Sequence, residues 1–495
     1  MILTTLLDMA VDGSHGRGAA IGGTGNGLTA AELRAAARHG AAALVRSEAS
    51  ALLYLATNGT AFPVALFSAA IAGVPFVPVN YRLGESQLKA LLANHARAYV
   101  VADDQYAPMV APFAVAHRTP AAWLAETAKP VPAQAHREPA PEDTAVIIYT
   151  SGTTSAPKGV LLRHDNLVSY VIGTVEFGSA DAEDATLLCV PPYHIAAVSN
   201  VLSNLYAGRR ITFLDPFSPA AWLDLVRAEN VTHAMVVPTM LARIMADDDV
   251  ERSVPSLRTL AYGGAAMPPR MIERALREWP DVGFVNAYGL TETSSTVALL
   301  GPDDHRAALA ASDPAARARL HSAGKPVPGV EIEIRDAGNA VLPPGTSGRI
   351  WIRGAQVSGR YAGTRTDRDD GWFDTRDLGR LDLEGFLFVE GRADDTIIRG
   401  AENIAPAEIE DVLLRQHGVA DAVVVGVPDE EWGQRIEAVV TPERGVDLDP
   451  GLLRAAVRAT LRGSKTPDRI IVWEELPRTA TGKVRRPDVV AALTR

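Results

Sequence analysis

Tyr149-Thr-Ser-Gly-Thr-Thr-Ser-Ala-Pro-Lys-Gly159 is the stretch on which the reading of this sequence turns. The apolar run from Ala145 to Tyr149 reads as a strand. It empties into a loop of hydroxyls and glycine that holds one lysine. Small residues such as Gly152 let backbone N–H groups approach an anion closely. Thr150, Ser151, Thr153 and Thr154 add hydroxyl donors, and Lys158 supplies a compact charge suited to phosphate oxygens. Gly-x-x-x-x-Gly-Lys-Ser/Thr cannot be placed on it, so it is not a Walker A loop. Read from its residues alone, the loop is open between phosphate binding and an ordinary surface turn.

Alternating elements extend on both sides. Thr29-Ala-Ala-Glu32 is a capping box opening a helix that runs through Arg46. Ala51 to Ala56 and Ala98 to Ala102 read as buried strands, with a helix from Gln87 to Ala96 between them. This alternation predicts an α/β sheet covered by helices on both faces. Residues 130–143, rich in Pro and Ala, read as an exposed connector. Residues 301–323, rich in Ala, Asp and Arg, read as a surface excursion. Val330 to Arg335 and Gly348 to Arg353 read as antiparallel strands about the turn Pro343-Pro-Gly345. Near Gly391 to Asp395 the character changes. A helix (Pro406 to Gln416), strands (Ala422 to Val427, Glu437 to Val440), a helix (Pro450 to Leu461) and a strand (Arg469 to Trp473) then form a compact α+β unit. The glycine-rich Gly22-Gly-Thr-Gly-Asn-Gly27 does not fit Gly-x-Gly-x-x-Gly before a helix; Asn26-Gly27 is a hairpin-turn signal.

The 495 residues suit about three units of ~150 residues, or one large and one small domain. A hydrophobic content of 47% excludes disorder as the main state. The net charge of −11 argues against a nucleic-acid or anionic-membrane partner. Cys189 is the only cysteine, which excludes an intramolecular disulfide and Cys-based metal frameworks. No apolar run reads as a membrane span, and Met1 to Ala10 lacks the flanks of a signal peptide. A cytoplasmic enzyme is the expected class. Only six of the 48 basic residues are lysines, so each lysine invites the question of why arginine was not used.

The loop at 149–159 resembles the phosphate loop of the adenylate-forming superfamily: acyl-CoA synthetases, peptide-synthetase adenylation domains and luciferases. Further motifs follow in family order. Ala261-Tyr-Gly-Gly-Ala265 looks like the adenine-side loop, Asn286-Ala-Tyr-Gly-Leu-Thr-Glu-Thr293 like the second nucleotide motif, and Gly371-Trp-Phe-Asp-Thr-Arg-Asp-Leu-Gly379 like the ribose motif. Gly391-Arg-Ala-Asp-Asp-Thr-Ile-Ile-Arg-Gly-Ala-Glu-Asn-Ile404 looks like the hinge and post-hinge loop, and Pro477-Arg-Thr-Ala-Thr-Gly-Lys-Val-Arg485 like the C-terminal lysine motif. The resemblance implies an α/β fold: a large N-terminal ATP- and acyl-binding domain over residues 1–393, with a small β-barrel-like part, and a small mobile α+β lid domain over residues 394–495.

It also implies roles. Gly264, Ala265, Asn286, Ala287 and Tyr288 would hold adenine, by stacking and by a hydrogen bond to its amine. Thr291 would meet the α-phosphate, and Glu292 is a hard oxygen ligand for Mg2+. Asp377 and Arg392 would hold the ribose. Lys483 would bridge the carboxylate nucleophile and the α-phosphate, a task for a point charge rather than a planar fork. Asp394 would be the hinge about which Lys483 is exchanged for the Gly400-Ala401 loop, so that one site serves two nucleophiles.

The acyl pocket is expected at His194, Ile195, Ala197, Val198, Tyr262, Gly263 and Gly289. Ile195 stands where amino-acid-activating relatives carry an Asp for the ammonium, so an α-amino acid is disfavoured. The small residues leave room for a bulky or elongated acid. Ser155, Ala401 and Ala405 depart from the family pattern. The expected activity is conversion of a carboxylic acid to its CoA thioester through acyl-AMP, with ATP/AMP, Mg2+ and CoA as cofactors. The alternatives are a ligase specialised for thioesterifying preformed acyl-AMP, and an adenylation enzyme loading a carrier protein. Expected partners are the small-molecule acid and CoA, with no nucleic acid and no membrane span; a homodimer is left open. Trp432 is expected near the CoA entrance, and Cys189 in the core.

Overall fold

The computed structural model describes residues 1–13, 18–25, 27–130, 132, 138–150, 158–246, 251–362, 364–365, 371–399, 402–429, 432–461, 463–479 and 482–494. Leu52–Leu55 and Ala98–Ala102 are buried at every position and pair in parallel, Leu52 opposite Tyr99. Strands without a polar face belong inside an α/β layer. Among the described residues, they lie in an eight-stranded sheet ordered 364–365, 360–361, 158–163, 144–150, 76–78, 52–55, 98–102, 114–118. A second, seven-stranded sheet is ordered 325–326, 295–300, 283–290, 259–263, 233–236, 185–188, 210–213. One apolar core joins the two sheets, from Leu52 and Phe76 to Leu187 and Phe284. Helix Ala61–Ala72 is apolar on all sides and sits within that core.

The β part that follows is an antiparallel meander: Val330–Arg335, Gly348–Gly354, Phe373–Leu381 and Leu387–Arg392. Beyond it, Val419–Asp429, Gly433–Pro442 and Arg469–Val472 form a sheet flanked by helices Pro406–Leu414, Pro450–Thr460 and Arg486–Leu493. Two apolar clusters, around Ile409 and Val424 and around Val425 and Val489, draw their buried residues only from position 397 onward.

The capping box at Thr29 is formed. Its hydroxyl accepts from Glu32 N at 3.2 Å, and Glu32 Oε2 accepts from Thr29 N at 2.8 Å. The backbone hydrogen bond from Thr29 holds the Glu32 carboxyl below its ordinary value. The helix read at 87–96 is Glu85–Leu92. Ile21 and Leu28 exchange two backbone hydrogen bonds, as the two sides of a tight turn do; Asn26 lies outside the described residues.

The expected surface excursion at 301–323 is a correction. It contains helices Pro302–Ala310 and Pro314–Ala318, and it buries His305, Leu320 and Ser322 completely or nearly so. Ala, Arg and Asp are poor core residues, but they make helices well when Pro starts them and Asp313 caps one. A narrow inward face was enough to dock the segment. Among the described residues, no helix is long and apolar enough to cross a membrane.

Thr29→Ala should cost about 1 kcal/mol, read as a lower urea midpoint for the large domain. An unchanged midpoint would mean that the box carries no stability.

Candidate active site

Thr144–Thr150 and Lys158–Arg163 pair antiparallel, with Thr150 opposite Lys158. Ser151, Gly152, Thr153, Thr154 and Ser155 lie outside the described residues. Thr150 and Lys158 flank them, Lys158 with an exposed side chain.

The adjoining cluster is built by strand pairing. Gly283–Leu290 runs parallel to Thr259–Gly263, placing Asn286 beside Tyr262 and Ala287 beside Gly263. Gly264 follows with φ +82°, a conformation that a side chain would strain, and Ala265 comes next. Asn286 Nδ2 donates to Ser322 O at 2.9 Å, leaving Oδ1 as the acceptor. Tyr288 Oη donates to Asp377 Oδ2 at 2.6 Å. Asp377 stands directly opposite Arg392 on adjacent antiparallel strands, and their side chains pair at 3.2 Å. Burial raises the Asp377 carboxyl, while Arg392, the Tyr288 hydroxyl and Lys483 oppose that rise. The result is one acceptor held among donors from two sheets.

Gly283–Leu290 ends in the tight turn Thr291–Thr293. Glu292 is almost buried there, and Tyr361 Oη donates to its Oε1 at 2.5 Å. Tyr361 was missed in the sequence, as were Ser322 and His305. No motif marks them, and each acts across a long separation in the chain.

Lys483 arrives from the far end of the sequence. Its loop is closed by Thr479 N donating to Lys483 O at 2.8 Å and Lys483 N donating to Thr479 Oγ1 at 3.1 Å. Arg478 pairs with Asp421 and donates to Gly482 O. Gly482 has φ +80°, and a Cβ there would fall 2.3 Å from Thr239 Oγ1, so the loop packs directly on the large domain. Although much of its surface is open, the Lys483 ammonium is lowered, first by desolvation in this cleft and then by Arg392; Asp377 and Asp395 oppose the shift. At the hinge turn Ala393–Asp395, Asp394 lies 4.0 Å from Arg376 and Asp395 lies 3.2 Å from Arg486. Gly400 and Ala401 lie outside the described residues.

Residues 7–362 match the family model described as AMP-binding enzyme, and residues 408–483 match AMP-binding enzyme C-terminal domain. The chain belongs to the AMP-binding enzyme family. It is 34% identical to a feruloyl-CoA synthase from Amycolatopsis sp over 481 residues, 94% of each chain. It is 32% identical to an indoleacetate–CoA ligase from Aromatoleum aromaticum over 463 residues, 89% of this chain and 88% of that one. Its fold is similar to that of ATP-bound MatB from Rhodopseudomonas palustris, with a TM-score of 0.88, 26% identity and 99% of each chain covered.

The residues expected at the acyl pocket of this AMP-binding enzyme are closely packed. The Tyr262 ring is fully buried; its hydroxyl meets His305 Nε2 at 2.9 Å, while His305 Nδ1 meets Gly301 O at 2.7 Å. That ring is committed to the core. Gly263 and Gly289 do not simply leave space either. A Cβ on Gly263 would fall 2.3 Å from Ala287 O, and one on Gly289 would fall 1.8 Å from Ser295 O. Backbone occupies those volumes. Ala197 and Val198 are buried in the core on helix Ile195–Ala207, whereas Ile195 and Ala196 at its start are only partly buried. His194 precedes them with a buried Nε2 that has no partner among the described residues, and burial pushes its imidazole down to about 4. It is neutral at pH 7. Cys189 is core: it is buried, Sγ meets Met235 O at 3.3 Å, and burial pushes the thiol up to about 12.

Gly289→Ala should lose about 2 kcal/mol of stability, as overpacking against backbone does, and lower the melting temperature. A variant that keeps its melting temperature and accepts only smaller acids would restore the pocket role.

Proposed function

We propose that this protein is an AMP-forming acid–thiol ligase, and that its residues 1–393 and 394–495 divide the work as substrate-binding domain and lid. The carrying observation is the convergence of Tyr288, Asp377, Arg392 and Lys483, drawn from distant parts of the chain into one electrostatically coupled cluster. In the first step a carboxylate oxygen attacks the α-phosphorus of ATP, forming acyl-AMP as pyrophosphate leaves. In the second, the CoA sulfur attacks the acyl carbon; AMP leaves and the thiol proton is released.

The residues suit those steps. Tyr288 offers a π face to adenine, and the free Asn286 Oδ1 has the polarity to accept from the exocyclic amine. Asp377 and Arg392 accept from and donate to the ribose hydroxyls. Lys483 offsets repulsion between carboxylate and α-phosphate and stabilises charge that grows in the transition state. Desolvation in the cleft lowers its ammonium, and a charge in a partly desolvated cleft acts more strongly than in water. Thr291 presents a hydroxyl to the α-phosphate. Among the described residues, no cluster of three or more His, Cys, Asp or Glu side chains could hold a metal. A cation at Glu292 would therefore take one carboxylate and complete its shell with phosphate oxygens and water, which is the habit of Mg2+. Bound there, Mg2+ would neutralise phosphate charge.

The acid is best taken as aromatic. Two relatives similar over most of their length are named for feruloyl and indoleacetyl groups. The neutral His194 and the apolar Ile195 provide no counter-charge for an α-ammonium.

ATP–pyrophosphate exchange across aryl, fatty and amino acids, with CoA thioester detected in parallel, tests this reading. Exchange and thioester formation with aryl acids support it. Thioester formed only from supplied acyl-AMP, or transfer only to a carrier protein, would replace it. Lys483→Ala should lower exchange by about a thousandfold while sparing thiolysis of supplied acyl-AMP. Equal loss of both steps would remove the assigned role.

A further inference from the structure

Ala355 to Ala362 crosses between the two elements that carry the phosphate-side chemistry, and it is bonded to both. Towards the hairpin, Ala362 N donates to Gly159 O at 2.8 Å, Ser358 Oγ donates to Leu161 O, and Tyr361 pairs with Val160. Towards the acidic turn, Ser358 N donates to Glu292 O at 2.8 Å. Gln356 is almost fully buried; its Nε2 donates to Thr293 O at 3.0 Å and Thr296 O at 2.8 Å, and its carbonyl accepts from Ser294 Oγ at 2.8 Å. The turn needs this bracing. Ser294 and Ser295 sit at φ +58° and +126°, where non-glycine residues are strained. Among the described residues, the one side-chain hydrogen bond to the Glu292 carboxylate itself is from Tyr361 Oη to Oε1. Among the described residues, Oε2 has no hydrogen-bond partner.

We propose that Tyr361 is a positioning residue for phosphate activation: its hydroxyl locks one Glu292 oxygen, so that the other is held out for a divalent cation, and the 355–362 segment ties that carboxylate to the phosphate hairpin. This rests on the ligase reading above. The physical reason is entropic. A free glutamate samples many rotamers, and a cation that binds a single carboxylate must order it. Tyr361 does this ordering before the cation arrives.

Tyr361→Phe removes only the hydroxyl. It should raise the Mg2+ concentration that half-saturates ATP–pyrophosphate exchange by about tenfold, the worth of a hydrogen bond to a charged group. The maximal rate at saturating Mg2+ should stay within about twofold, and thiolysis of supplied acyl-AMP should be unchanged. Mn2+ binding to the full-length protein with a non-hydrolysable ATP analogue, followed by its electron paramagnetic resonance signal, should weaken by the same factor. That measurement needs no turnover, so it tests Tyr361 even if no acid in the panel supports exchange. Unchanged Mn2+ affinity, or a fall in both half-reactions at every metal concentration, would overturn the proposal. Gln356→Glu supplies the second arm: it removes the amide donors to Thr293 and Thr296 while keeping the side-chain shape. It should weaken Mn2+ in the same direction, and wild-type affinity in this variant would disprove the bracing role.

Discussion

One segment, Ala355 to Ala362, is hydrogen-bonded along both edges, and the geometry of the site depends on it. It holds the strand that follows the polar loop on one side and the Glu292 turn on the other. Those parts come from different sheets, so nothing else in their own strand pairing fixes their separation. Asn166 Nδ2, buried in the adjacent helix, donates to Ala355 O at 2.9 Å and anchors the start of the segment. An error of 1 Å here would move the Glu292 carboxylate relative to the strand 158–163, and reactions that depend on orientation are sensitive on that scale.

The second constraint is strand register. Asp377 and Arg392 face one another because Phe373–Leu381 and Leu387–Arg392 pair in one alignment. A slip of one residue would send both side chains to the opposite face. The same logic sets Gly263 against Ala287 O and Gly289 against Ser295 O, where only glycine fits. Binding chemistry and backbone packing therefore compete for the same short stretches, and packing decides the residue at those two glycines.

This explains what was readable in the sequence. The buried strands at 52–55 and 98–102 were legible because their signal is local and periodic. Thr291, Glu292 and Lys483 were singled out through the resemblance of their short motifs to a known family, not through local periodicity. Tyr361 was not, since it meets Glu292 across 69 residues and neither neighbourhood encodes the other. The 301–323 segment misled because composition reports polarity, whereas docking needed only His305, Leu320 and Ser322 to face inward. Gly263 and Gly289 are hard to read for a different reason. A missing side chain looks the same in a sequence whether the space is empty or filled by a neighbouring backbone.

The turn Ala393–Asp395 sets a firm contact next to a weak one. Asp394 and Asp395 are neighbours in sequence but are held by different bodies. Asp394 faces Arg376 of the large domain at 4.0 Å, with both side chains largely in solvent. Such pairs contribute about 0–1 kcal/mol. Asp395 pairs with Arg486, which also forks onto Glu410 at 2.7 and 3.0 Å and donates to Val424 O at 2.7 Å. A bidentate guanidinium–carboxylate pair with its remaining donors satisfied resists separation. A rotation about Ala393–Asp395 would thus break the weak link and carry the strong one intact. Because Arg486 lies three residues beyond Lys483, the strong link belongs to the same part of the chain as that lysine. Across the same boundary Gly482 packs closely on Thr239, and the Arg270 guanidinium donates to Arg415 O at 2.5 Å, so the two parts are joined by a charge-assisted hydrogen bond as well as by weaker contacts.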